Sequence, residues 1–302
     1  MEWKNRKVTS MPELSSSIVF CFKPYFPCIM KKEITYSLLF IVIVLLISWC
    51  YTGFIFSTPD RIKFFVFIMF IPGSVALTLN TIRYKSLKEV FRPIISPIKI
   101  KSLLFSFLYP LLFIVLLAVI VLVTDMGTLN ASKLKDLTKY PPLITFLVGF
   151  LLIFGEEYGW RGFLLKNLAE AKGKIVASLI VGAVWALWHG PLIYGLAYNM
   201  HMENPFLVML IQMGAVFVCS IPFTYSYFLT NNIVAPMLFH FTWNFYNPLI
   251  LGNIYRNQPG IIDGNLMVIN GEGLGGLLLG LLFMIWFLKQ FKKEEKELIS
   301  PL

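Results

Sequence analysis

Apolar residues gather along this chain into long, nearly unbroken runs separated by short polar connections, a pattern that predicts helices rather than strands. A helix needs about 20 mostly apolar residues to cross a hydrocarbon layer about 30 Å thick. The runs at 34–56, 62–82, 103–124, 142–166, 175–198, 205–229 and 274–291 meet that standard, and 232–250 makes an eighth. This eighth is the weakest, because Pro236, His240 and Asn244 interrupt it. The apolar patch at 18–30 carries Lys23, Pro24 and Pro27 and reads as interfacial, within a cytoplasmic or interfacial arm covering 1–33. No connection has room for a soluble domain, and no fixed period repeats. The expectation is an all-α membrane protein: one transmembrane domain over 1–302, a polytopic bundle of about eight helices.

Composition narrows the class. Hydrophobic residues make up 57% of the chain and charged residues 14%, against roughly 45–50% and about 25% in soluble domains. That excludes a disordered chain, a disulfide scaffold and an ordinary soluble enzyme. Cys21, Cys28, Cys50 and Cys219 are scattered without a zinc-like spacing, so neither a structural zinc site nor a disulfide framework is expected. The net charge of +10 would fit nucleic acid only if it formed a face, and it does not. Most basic residues flank apolar runs, where they meet lipid headgroups. Membrane lipids are therefore expected partners, and nucleic acid is not. The N-terminus has no cleavable signal pattern, so none is expected.

The basic residues also set orientation. With eight spans, the N-terminal arm, the 83–101 connection, the Lys166–Lys174 connection and the C-terminal tail share one side and hold 19 of the 26 Lys and Arg. The positive-inside rule then places both termini in the cytoplasm of a multi-pass cell-membrane protein.

A few ionisable residues stand inside apolar runs: Glu156, Glu157 and Arg161 in 142–166, His189 in 175–198 and His240 in 232–250. Each costs at least about 2.5–3.5 kcal/mol at mid-membrane, so each needs a partner and usually a function. At about 1.5 Å per residue, Arg161 and Glu157 lie about 10 and 16 Å from the cytoplasmic end of their run. His189 lies about 21 Å, His240 about 12 Å and Asn244 about 18 Å inside theirs. One band around the midplane, reaching toward the cytoplasmic side, can hold them all.

Helical spacing assigns tasks. Glu157 and Arg161 are i,i+4 and can pair, whereas Glu156 points about 100° away from Glu157. A carboxylate in a poorly solvated site beside a second carboxylate can serve as a general base. His240 and Asn244, again i,i+4, project together as donors for a developing oxyanion. Gly155, Gly159 and Gly162 permit close helix approach or water entry. Asn231-Asn232 and Gly271–Gly276 read as turns.

Glu156-Glu157-x-x-x-Arg161, Trp185-x-x-x-His189 and His240-x-x-x-Asn244, in this order on separate runs, resemble the pattern of the CPBP family. That family contains CAAX prenyl protease 2 and bacteriocin-processing or immunity membrane proteases, and is also called Abi. The resemblance covers roughly 140–250, a catalytic core, and departs from the pattern where Trp185 replaces a usual Phe. The exchange of aromatic for aromatic is expected to alter packing, not chemistry. The resemblance implies an intramembrane endopeptidase that cleaves a membrane-associated protein or peptide near the cytoplasmic leaflet. In it Glu156 activates water, His189 helps orient or deprotonate that water, Glu157 and Arg161 hold the arrangement, and His240 with Asn244 stabilise the oxyanion.

Metal dependence stays open at this point. Glu156, His189 and His240 could ligate zinc, but no HExxH supplies two ligands and a base from one helix, so a metal-free reaction without cofactor is favoured. The competing class is a non-proteolytic membrane protein that retains the motif, either an ion-coupled transporter or a protective or scaffolding partner. A transporter would be expected to repeat its broken helices in both halves, and the motif residues occupy only the second.

Overall fold

The computed structural model describes residues 25–138 and 143–299. The expected arm at 1–33 lies largely outside them, and the first helix, α1 (Tyr25–Ile55), begins at Tyr25. The second run has two parts, a 3-10 segment at Pro59–Met69 followed by α2 (Phe70–Tyr84). A short amphipathic helix, α3 (Leu87–Ile95), precedes α4 (Ile100–Val123). The fourth run is continuous over Leu143–Lys172 but changes character along its length. It starts as α5 (Leu143–Glu157), becomes π-helical over Tyr158–Leu165 and ends as α6 (Lys166–Lys172).

Then come α7 (Lys174–Asn199), α8 (Pro205–Phe228), α9 (Val234–Leu251), the single turn α10 (Leu266–Ile269) and α11 (Leu274–Ile299). Only two short strands interrupt the helices among the described residues: β1 (Gly127–Leu129) pairs antiparallel with β2 (Ile262–Gly264).

Seven of the helical stretches among the described residues are long and apolar enough to cross a membrane. Their outward faces carry large apolar side chains such as Leu46, Leu112, Val123 and Leu282, as lipid contact requires. Helix α9, which corresponds to the run at 232–250, is not among those seven. Its buried face instead carries polar groups, His240, Thr242 and Asn247. Of the interruptions that make 232–250 the weakest run, Pro236 and His240 are buried in the bundle, whereas Asn244 is exposed and lines a cavity.

Polar contacts sort the connections between two ends. Asn232 donates to the carbonyls of Ile94 and Ser96, and its Oδ1 accepts from Val234 N at 2.8 Å. This ties the start of α9 to the α3–α4 connection. Asn231, at φ 53°, makes the preceding turn. At the opposite end the β1–β2 pair joins the segments that follow α4 and α9. Asn204 caps α8, accepting from Leu207 N at 3.0 Å, with Pro205 in the first turn where no donor is required.

Close helix crossing is built from small residues. A Cβ on Gly155 would stand 2.6 Å from the Met69 carbonyl oxygen, and one on Gly159 2.5 Å from Pro72 Cβ. These two glycines let α5 and the π segment lie directly against the Met69–Gly73 backbone. That contact fixes the height of the adjacent glutamates. Gly155→Ala should therefore destabilise the protein by about 1–3 kcal/mol, because backbone must move to admit the methyl. Thermal unfolding in detergent measures this; an unchanged midpoint would show that the crossing is not tight.

Candidate active site

The π-helical segment begins immediately after Glu157, and all eight of its residues are buried. Such i→i+5 segments are rare and often occur at functional sites. Glu157 stands at the boundary and still reaches Arg161: Nη1 donates to Glu157 Oε1 at 3.0 Å, with both side chains wholly buried. The same oxygen receives His240 Nδ1 at 2.8 Å. The guanidinium lies between two aromatic faces, 4.3 Å from the Trp185 ring centroid and 4.7 Å from that of Phe223. Arg161 Nη2 also approaches Ser220 Oγ at 3.5 Å. One carboxylate thus binds an arginine of its own helix and a histidine of α9.

Glu156 goes elsewhere. It accepts from the indole Nε1 of Trp185 at 3.0 Å and lines a cavity of about 250 Å³. His189, His240 and Asn244 line the same cavity, whereas Glu157 and Arg161 do not. The six candidate residues thus divide between a wall that faces the cavity and a pair that supports it from behind. Trp185 links the two sets, since its indole holds Glu156, its ring covers Arg161, and its carbonyl oxygen lies 2.9 Å from His189 Nδ1. Its place in the pattern was expected to affect packing alone; instead it makes a hydrogen bond to Glu156 that a phenylalanine could not make.

The acceptors fix the histidine tautomers. A carbonyl oxygen only accepts, so His189 Nδ1 carries the hydrogen, and in the neutral ring Nε2 presents a lone pair. His240 Nδ1 donates to the Glu157 carboxylate in the same way. Bare Nε2 atoms of this kind also suit a metal. Among the described residues, however, no three His, Cys, Asp or Glu side chains are grouped so as to hold a metal ion. Glu156, His189 and His240 line one cavity without forming a ligand set.

The cavity extends further than the motif residues suggested. Its walls include Phe65, Met69 and Leu192 and continue to Gly252–Tyr255, toward the end that carries the β1–β2 pair. None of its lining residues comes from the basic connections at 84–100 or 166–174. Glu272, within the run of residues read only as a turn, also lines it. Glu272 accepts from Gln212 Nε2 at 2.7 Å and from Trp243 Nε1 at 3.2 Å. Nothing in local spacing signals this, because Gln212, Trp243 and Glu272 come from three separate elements.

Comparison with known proteins bears on the same region. Residues 138–246 match the family described as type II CAAX prenyl endopeptidase Rce1-like, a stretch that contains all six candidate residues. A curated relative, CAAX prenyl protease 2 of Methanococcus maripaludis, is 29% identical over 116 residues, covering 33% of this chain and 40% of that protein. The chain thus spans about 40% of the length of the curated relative it matches. The similarity confirms the resemblance carried by the three motifs and lies in the stretch that holds them.

The geometry separates stability from chemistry. Arg161→Ala leaves the Glu157 carboxylate buried with one partner fewer and should cost about 3–5 kcal/mol. Glu156→Gln keeps an oxygen for the Trp185 indole and should unfold near the wild-type temperature. Equal destabilisation by the two substitutions, read by thermal unfolding, would refute this division.

Proposed function

We propose that this protein is an intramembrane endopeptidase that hydrolyses a peptide bond of a membrane-associated protein or peptide, using a water activated by Glu156. The observation that supports the reading best is that Glu156, His189, His240 and Asn244, from three helices, line one cavity. The similarity to CAAX prenyl endopeptidases over 138–246 gives the reaction class.

In this mechanism water lies between Glu156 and the Nε2 lone pair of His189. As its oxygen attacks the carbonyl carbon, its proton passes to the Glu156 carboxylate. The tetrahedral oxyanion is met by the Asn244 amide, and by His240 Nε2 when that ring is doubly protonated, since its Nδ1 hydrogen is committed to Glu157. Glu156 then delivers its proton to the leaving nitrogen, the C–N bond breaks, and one water has been consumed. Glu157 and Arg161 take no part in bond making. They are positioning residues that hold His240 and the Trp185 ring. This mechanism routes no step through a metal.

Orientation follows from charge. We place both termini in the cytoplasm of the cell membrane, with α9 as the eighth crossing. The connections at the start of α9 and between α6 and α7 are then cytoplasmic. From the motif residues the cavity runs toward the other end, that of the β1–β2 pair.

Glu156→Gln should lower peptide cleavage by about 10²–10⁴-fold and Asn244→Ala should lower kcat by about 10²–10³-fold, measured on purified protein in lipid with a quenched-fluorescence peptide. Cleavage at the wild-type rate by folded Glu156→Gln would end the mechanism. Dialysis against a zinc chelator should leave the rate unchanged; loss with recovery on adding zinc would make His189 and His240 ligands. A reporter fused after Leu302 should lie in the cytoplasm, and an external signal would overturn the orientation.

A further inference from the structure

Apart from Glu156, one acidic side chain lines the cavity, and the mechanism does not use it. Glu272 stands just before α11, half-buried, with its backbone N–H donated to Asn270 Oδ1 at 2.8 Å. Asn270 and Asn247 hold this turn in place: Asn247 Nδ2 donates to Asn270 Oδ1 at 3.1 Å, and Gly271 N donates to Asn247 Oδ1 at 3.0 Å. Gln212, 1% exposed, and Trp243, 5% exposed, each give Glu272 one neutral hydrogen bond. Among the described residues no Lys, Arg or His forms an ion pair with it. The guanidinium beside the site, Arg161, is bound to Glu157, as is the His240 ring.

A carboxylate with neutral donors alone, facing a poorly solvated cavity, lacks its counter-charge. Tyr255, in the connection after α9, shares a side-chain hydrogen bond with Glu272, a third neutral partner, and lies within electrostatic reach of Glu156; burial first, then Glu272 and Glu156, push its phenol well above the usual range. The remaining walls are mainly apolar, with Phe65, Leu192 and Val216 among them. An occupant that satisfies this lining has an apolar body and one positive charge.

We propose that Glu272 forms a binding subsite for a cationic group of the substrate, a lysine or arginine side chain within an otherwise apolar peptide segment, which it holds by an ion pair on the wall shared with Glu156. This rests on the reading of the cavity as a peptide site and adds a charge preference to it. Gln212 and Trp243 orient the carboxylate, and the substrate supplies the missing cation. Both oxygens retain free acceptor positions for it.

Binding tests this without requiring cleavage. Matched fluorescent apolar decapeptides, with lysine or norleucine at one position moved along the peptide, are titrated by anisotropy against the full-length protein in neutral-lipid nanodiscs. At one or more positions the lysine peptide should bind about tenfold or more tightly. Glu272→Gln should reduce that preference to within about twofold, and Glu272→Asp should restore part of it. Wild-type protein that binds both peptides equally at every position would overturn the subsite, whether or not any variant folds. A lysine preference that persists in folded Glu272→Gln would also overturn it. Failure of the wild type to cleave any of these peptides while the lysine preference holds would instead count against the endopeptidase reading, leaving the cation subsite supported.

Discussion

The bond set around Glu157 Oε1 constrains everything near it. A single carboxylate oxygen, wholly buried, receives Arg161 from its own helix and His240 from α9. The charges on these groups are too costly to leave unpaired in an apolar bundle. The helices that carry them are therefore held in one register. The cluster is not fully satisfied, since Glu157 Oε2 and Arg161 Nε are buried without a hydrogen-bond partner among the described residues. A buried ion pair of this kind is weak evidence for stability. Its contribution is better understood as position: it fixes the His240 ring with Nε2 toward the cavity and keeps the guanidinium behind the wall.

With Arg161 and His240 committed to Glu157, the neighbouring Glu156 is left without a direct cation. Its neutral indole donor orients it and does not neutralise it. Two glutamates adjacent in sequence thus acquire different surroundings because one residue of helix turn separates them. The tight packing of Gly155 and Gly159 against Met69–Gly73 prevents that turn from adjusting. The switch to π-helical geometry after Glu157 then buries all eight following residues. Position, polarity and exclusion of bulk water at Glu156 all follow from these local facts.

Much of this was legible in the sequence because membrane helices declare themselves by length, and ionisable residues inside them are few. The helices follow the predicted runs, and the Glu157–Arg161 pairing follows from i,i+4 spacing. Three things were not legible. The π segment has no periodicity signal, since every residue in it is buried. Trp185 looked like a packing exchange because a motif shows residue types and not which atoms meet; its indole N–H becomes meaningful only where α7 passes Glu156. Glu272 was hidden in a glycine-rich turn, where neither helical spacing nor depth along a run applies. Its neighbours Gln212 and Trp243 are brought to it by tertiary packing alone.

The role given to the buried cluster is most directly examined by a double-mutant cycle on unfolding free energy, using Glu157→Gln, Arg161→Met and the pair together. If Glu157 and Arg161 act as one positioned unit, the losses will be non-additive, with a coupling of about 1–3 kcal/mol. Losses that add to within about 0.5 kcal/mol would mean the two charges do not hold one another, and the separation of Glu156 from its neighbour would have no physical basis.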